Sequence, residues 1–70
     1  MTTTYTVTGL TCGHCVASVT EEVGRLPQVT EVTVDLVPGG LSTMTVQSQA
    51  PLEKAAVAAA VDEAGYALAD

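Results

Sequence analysis

Along this chain the spacing of apolar residues switches repeatedly between period two and a helical period, and the order of those switches restricts the fold most. Residues 3–8 set Thr3, Tyr5 and Val7 against Thr4, Thr6 and Thr8, the pattern of a half-buried strand, which Gly9 breaks. Over residues 13–26, Val16, Val19, Val23 and Leu26 recur at helical spacing, with Ser18, Glu21, Glu22 and Arg25 between them. Pro27 is expected to stop that helix. Next, Val32, Val34 and Leu36 alternate with Glu31, Thr33 and Asp35, and Ser42, Met44 and Val46 alternate with Thr43, Thr45 and Gln47. The Pro-Gly-Gly of residues 38–40 lies between them, so the two runs predict a β-hairpin.

A second helix is expected to open with Pro51 in its first turn, to carry a stripe of Val57, Ala60, Val61 and Ala64, and to be capped by Gly65. Leu52 fits that stripe poorly. Residues 66–69 are apolar enough for a short closing strand. The resulting β-α-β-β-α-β order predicts an α+β protein, a split βαβ sandwich in which two helices cover one face of a four-stranded antiparallel sheet. The other face, rich in threonine, is expected to meet water. Seventy residues, 1–70, form one domain at most.

Tyr5 and Tyr66 are the only aromatic residues, so Val, Leu, Ala and Met must fill the core. Such a core limits any deep pocket for an organic substrate and counts against an enzyme. Met44 reads as core filling, and the alanine-rich run of residues 55–60 as helix propensity alone.

Eight acidic residues face only Arg25 and Lys54, for a net charge of -6. Nucleic acid would be repelled. No apolar run approaches the roughly 20 residues that span a bilayer, and polar Thr2, Thr3 and Thr4 near the start argue against a signal peptide and against membrane insertion. The expected location is the cytoplasm, where two close cysteines stay reduced and serve metal or redox chemistry.

Those cysteines, Cys12 and Cys15, form a Cys-Gly-His-Cys unit at the junction of the first strand and first helix, where both thiols can face one ion. Helix N-terminal amides favour thiolates, and thiolates select copper(I) over harder ions. Structural zinc requires four ligands, whereas the chain offers two cysteines and His14, with Thr11 beside Cys12 in place of a carboxylate. Two exposed ligands suit a carrier, because an acceptor's thiolates can displace them one at a time. The same spacing also occurs in disulfide oxidoreductases, so a dithiol redox protein is the alternative. Against it stand the absence of Trp before Cys12 and of the elements of a thioredoxin fold. Two inert or disulfide-bonded cysteines are a third reading, which leaves their loop position beside glycines unexplained.

The run Gly9-Leu10-Thr11-Cys12-Gly13-His14-Cys15, followed by Val16 and Val19, resembles the heavy-metal-associated domain of copper chaperones, and Gly65-Tyr66 resembles its C-terminal end. The similarity extends from about Tyr5 to Leu68 and implies a ferredoxin-like βαββαβ fold. It implies a copper(I) chaperone that delivers its ion by ligand exchange to the metal-binding domain of a copper-transporting P-type ATPase. Mercury carriers share the motif. The family usually has Met where this chain has Leu10, a position that resembles a buried tether of the loop, so Leu should substitute at little cost. The resemblance also implies that Tyr66 lies near the metal loop. His14, between the two ligands, reads either as a first-turn spacer or as a side chain that tunes the site. A monomer is expected without metal, with a copper-linked dimer left open. Gly13 and Gly65 are expected to serve backbone geometry.

Overall fold

In the computed structural model, which describes residues 1–69, the element order is β1 (Thr2–Thr8), α1 (Gly13–Gly24), β2 (Val29–Asp35), β3 (Ser42–Ser48), α2 (Lys54–Glu63) and β4 (Ala67–Leu68). The strands lie in the order β2-β3-β1-β4, with every neighbouring pair antiparallel. Central strands β1 and β3 pair Tyr5 with Met44 and Thr3 with Val46. Because side chains alternate along a strand, this register sends Tyr5, Val7, Met44 and Val46 to one face, where all four are buried. Both helices cover that face: α1 packs on β2 and on α2, and α2 on β4. Val19 and Val23 of α1 and Val57 and Val61 of α2 complete the core with Leu10. Thr2, Thr4, Thr33 and Thr43 are exposed on the opposite side.

The boundaries differ from the sequence expectations in four places. Helix α1 ends at Gly24, and Leu26 lies beyond it, half-buried against the core, its amide donating to the Val23 carbonyl at 3.1 Å. Strand β2 begins at Val29, with a register shift between Val29 and Glu31. Helix α2 begins at Lys54, so Pro51 lies outside it rather than in its first turn. The reason is Leu52: five residues before Val57 it would sit off the buried stripe of a helix, whereas the irregular approach lets it pack on the core. Ser48 Oγ donates to the Ala50 carbonyl at 2.8 Å and bends the chain into that approach. The closing strand is two residues long, and Tyr66 precedes it.

The end of α2 has a positional consequence. The Gly65 amide donates to Asp62 O at 2.9 Å and the Tyr66 amide to Val61 O at 3.1 Å, with Gly65 at φ +93°. This is a Schellman closure, which needs the left-handed conformation that glycine adopts freely. It turns the chain sharply and delivers Tyr66 to the end of the sheet where β1 stops. Among the described residues, no helix is long and apolar enough to cross a membrane.

Candidate metal site

Beyond Thr8 the chain leaves the sheet through Gly9, which has φ +89°. A Cβ at Gly9 would lie 3.3 Å from Tyr66 Cδ1, so the tyrosine ring rests against this residue. Glycine is thus favoured there by its positive φ, and a larger residue would also press on the tyrosine ring. Leu10 follows with its side chain fully buried, as a tether would be. Cys12 is the N-cap of α1, in extended conformation at φ −154° and ψ 179°. Its carbonyl accepts from the amides of Cys15 at 3.1 Å and Val16 at 3.3 Å.

A cap residue usually spends its side chain on the first amides of its helix. Cys12 does not, which leaves its sulfur exposed and free. The first turn carries no acidic side chain, so nothing there offsets the positive end of the helix dipole. The two sulfurs lie 4.0 Å apart. A disulfide requires about 2.05 Å; both thiols are free, Cys12 exposed and Cys15 half-buried. An ion with metal–sulfur bonds of about 2.3 Å, the zinc–thiolate length, would bridge sulfurs up to about 4.6 Å apart. Among the described residues, no group of three or more His, Cys, Asp or Glu side chains gathers to hold a metal.

The Cys15 thiol is held at a pKa of about 6, well below its ordinary 9.0. The Tyr66 hydroxyl is the largest cause, followed by hydrogen bonds from the Thr11 backbone, the Thr11 side chain and the Cys12 backbone, with partial burial opposing them. The Thr11 hydroxyl lies 3.5 Å from the sulfur. Reciprocally, the Tyr66 phenol is raised, first by its hydrogen bond to Cys15, then by burial and by the charges of Cys15 and Cys12. The sequence signal for this contact is the four-residue spacing of Thr11 from Cys15, about one helical turn, at which side chains meet.

The sign of the linkage follows from a depressed folded-state pKa. The contribution of Cys15 to stability is complete above pH 9 and is lost as pH falls to about 6, so stability should rise with pH across that window. Tyr66→Phe removes the largest cause. Its Cys15 titration, followed by thiolate ultraviolet absorbance, should move from about 6 toward 9.0; an unchanged midpoint would dismiss the tyrosine as the source.

His14 is exposed in the first turn of α1. Gly13 begins the helix without a positive φ, and an added Cβ would meet nothing within 4 Å, so the expected backbone need for glycine is absent there. Beside the site, Thr8, Gly9, Asp62, Gly65, Tyr66 and Ala67 line an open recess of about 400 Å³.

A βαββαβ sandwich with a free dithiol at its first strand-to-helix junction defines the class, and the chain belongs to the heavy-metal-associated domain family, whose model matches residues 4–67. It is 37% identical over 62 residues to the COP-associated protein of Helicobacter felis, covering 89% of each chain. Among solved structures it is similar to a CopZ metallochaperone, at 25% identity and a TM-score of 0.83, with 97% of this chain and 98% of that one covered. It is also similar to apo-CopP from Helicobacter pylori, at 26% identity and a TM-score of 0.76, covering 97% and 98%. The fold is therefore the α+β, ferredoxin-like arrangement expected from the order of periods.

Proposed function

We propose that this protein is a copper(I) chaperone of the cytoplasm that holds its ion between Cys12 and Cys15 and passes it to an acceptor by ligand exchange. The observation that carries this reading is the pair of free sulfurs, 4.0 Å apart, at the exposed start of a helix. Thiolates are the ligands that copper(I) prefers, and a reducing compartment keeps them available. The lowered Cys15 thiol favours loading near neutral pH, because a metal must otherwise displace a proton. Two ligands hold the ion while leaving it open to an incoming thiolate, so transfer proceeds through an intermediate shared between the two proteins. Tyr66 shields one flank, and Leu10 anchors the loop from below. The similarity to a protein called a CopZ metallochaperone supports this reading.

The proposed acceptor is the metal-binding domain of a copper-transporting P-type ATPase. Enzymatic redox work is disfavoured because the acidic thiol, Cys15, is the half-buried one and less open to a bulky disulfide than exposed Cys12. An anaerobic competition of the reduced protein against a copper(I) chelator, run beside zinc(II), mercury(II) and a disulfide reductase assay, tests the reading. One tight equivalent of copper(I) is expected. Tighter zinc(II) binding or enzyme-like reductase turnover would overturn it.

Encounter with the acceptor should depend on charge. The net charge is -6; Arg25 is engaged by Glu21 at 2.9 Å and Glu22 at 3.3 Å, while Asp62 lines the recess beside Tyr66. With an acceptor domain that presents Lys and Arg, stopped-flow transfer rates should fall as salt rises past the ionic strength at which the Debye length is about 8 Å. Rates that stay flat would shift the direction of the encounter to the exposed Val37 and Leu41. Leu10, being fully buried, presents no side chain to a partner.

A further inference from the structure

The turn between β2 and β3 reaches across to the metal loop: the Gly39 amide donates to the Leu10 carbonyl at 3.1 Å. Several features of the turn support that donor. Ser42 is fully buried, and its Oγ accepts from the Val37 amide at 3.0 Å while facing the Val37 carbonyl at 3.5 Å. The Gly40 amide donates to the same carbonyl at 3.0 Å. A Cβ on Gly40 would meet Val37 Cγ1 at 2.8 Å, so a larger residue there would have to displace the Val37 side chain. Gly39 has open space around it but a φ of +73°, the conformation that aims its N–H at the loop.

The loop needs such a hold. Cys12, as N-cap, makes no side-chain cap, so the helix start lacks the bond that ordinarily fixes it. Leu10, two residues earlier, is secured through its buried side chain on one side and its carbonyl on the other.

We propose that the β2–β3 turn, through the Gly39 amide, is a positioning clamp on the metal loop, holding the peptide before Thr11 so that the Cys12 sulfur stays beside that of Cys15. The effect on metal rests on the copper(I) reading above; the clamp on the loop does not. Gly39 is a positioning residue and touches no metal.

Gly39→Pro removes the donor and, because proline holds φ at about −65°, also the positive-φ conformation of the turn, whereas Gly39→Asn keeps the donor and tolerates a positive φ. In the metal-free wild type, the Gly39 amide should exchange slowly and show a through-hydrogen-bond coupling to the Leu10 carbonyl. In Gly39→Pro, amide relaxation should report a mobile loop over residues 9–14, and copper(I) affinity should fall roughly 10- to 100-fold, the cost of losing a supporting contact. Gly39→Asn should restore both. Val57→Ala, a core truncation on α2 that belongs to neither the metal loop nor the β2–β3 turn, should lower stability and leave copper(I) affinity of the folded protein unchanged, separating clamping from general destabilisation. If Gly39→Pro fails to fold, the wild-type exchange and coupling decide alone. A Gly39 amide that exchanges as fast as an exposed one, or a Gly39→Pro loop as ordered as the wild type, overturns the clamp. A wild type that binds no copper(I) overturns the carrier reading instead and leaves the loop measurements to judge the clamp.

Discussion

Replacing either Cys12 or Cys15 with serine should lower copper(I) affinity by more than roughly a thousandfold, about 4 kcal/mol, while the fold remains. An alcohol is a hard ligand with a far higher pKa than a thiol, so it neither matches the soft ion nor deprotonates to meet it. The remaining sulfur cannot enclose the ion, since among the described residues no group of three or more ligating side chains gathers to replace the lost one. The fold should persist because Cys12 is exposed and Cys15 only half-buried. Chelator competition and circular dichroism on the same samples check both halves. Wild-type affinity in either variant would refute the two-thiolate site.

Leu10→Ala should cost about 2–5 kcal/mol of folding stability, the usual range for emptying a fully buried leucine position. For a chain of 70 residues total stability is roughly 4–10 kcal/mol at the usual value per residue, so this one truncation removes a large share of it. The loop over Leu10 also carries Cys12, so copper(I) binding by the folded fraction should weaken as well. Urea unfolding should show a lower midpoint with an unchanged slope. Leu10→Met, close in volume, should lose less than about 1.5 kcal/mol and bind copper(I) as the wild type does. A Leu10→Ala midpoint indistinguishable from wild type would mean that the loop is anchored elsewhere.

The core was legible residue by residue wherever a local period exposes it. Tyr5 and Val7, Val19 and Val23, Met44 and Val46, and Val57 and Val61 are all buried, and each pair is two or four residues apart, the spacing at which a strand or helix repeats a face. The Cys-Gly-His-Cys unit is equally local, because only two residues, Gly13 and His14, separate its thiols across one helical start. Gly65 too could be read, as a stop after an apolar stripe, and its φ of +93° bears that out. Misreadings arose where packing competes with a local signal. Pro51 suits a first helical turn, yet the burial of Leu52 delays α2 to Lys54. Gly13 reads as a backbone requirement, yet its conformation is one that any residue adopts.

By itself, then, the sequence determined which residues face inward, the order of elements and the closeness of the two cysteines, since each depends on neighbours within a turn or a strand. Only the tertiary structure decided that β1 lies between β3 and β4, that Tyr66 acts on Cys15 across 51 residues of chain, and that Gly39 reaches Leu10. A period states which face of a strand or helix is apolar but not which other strand lies alongside it. That choice is made by closing long loops around a common core, and the contacts it creates at the end of the sheet leave no pattern in the residues on either side.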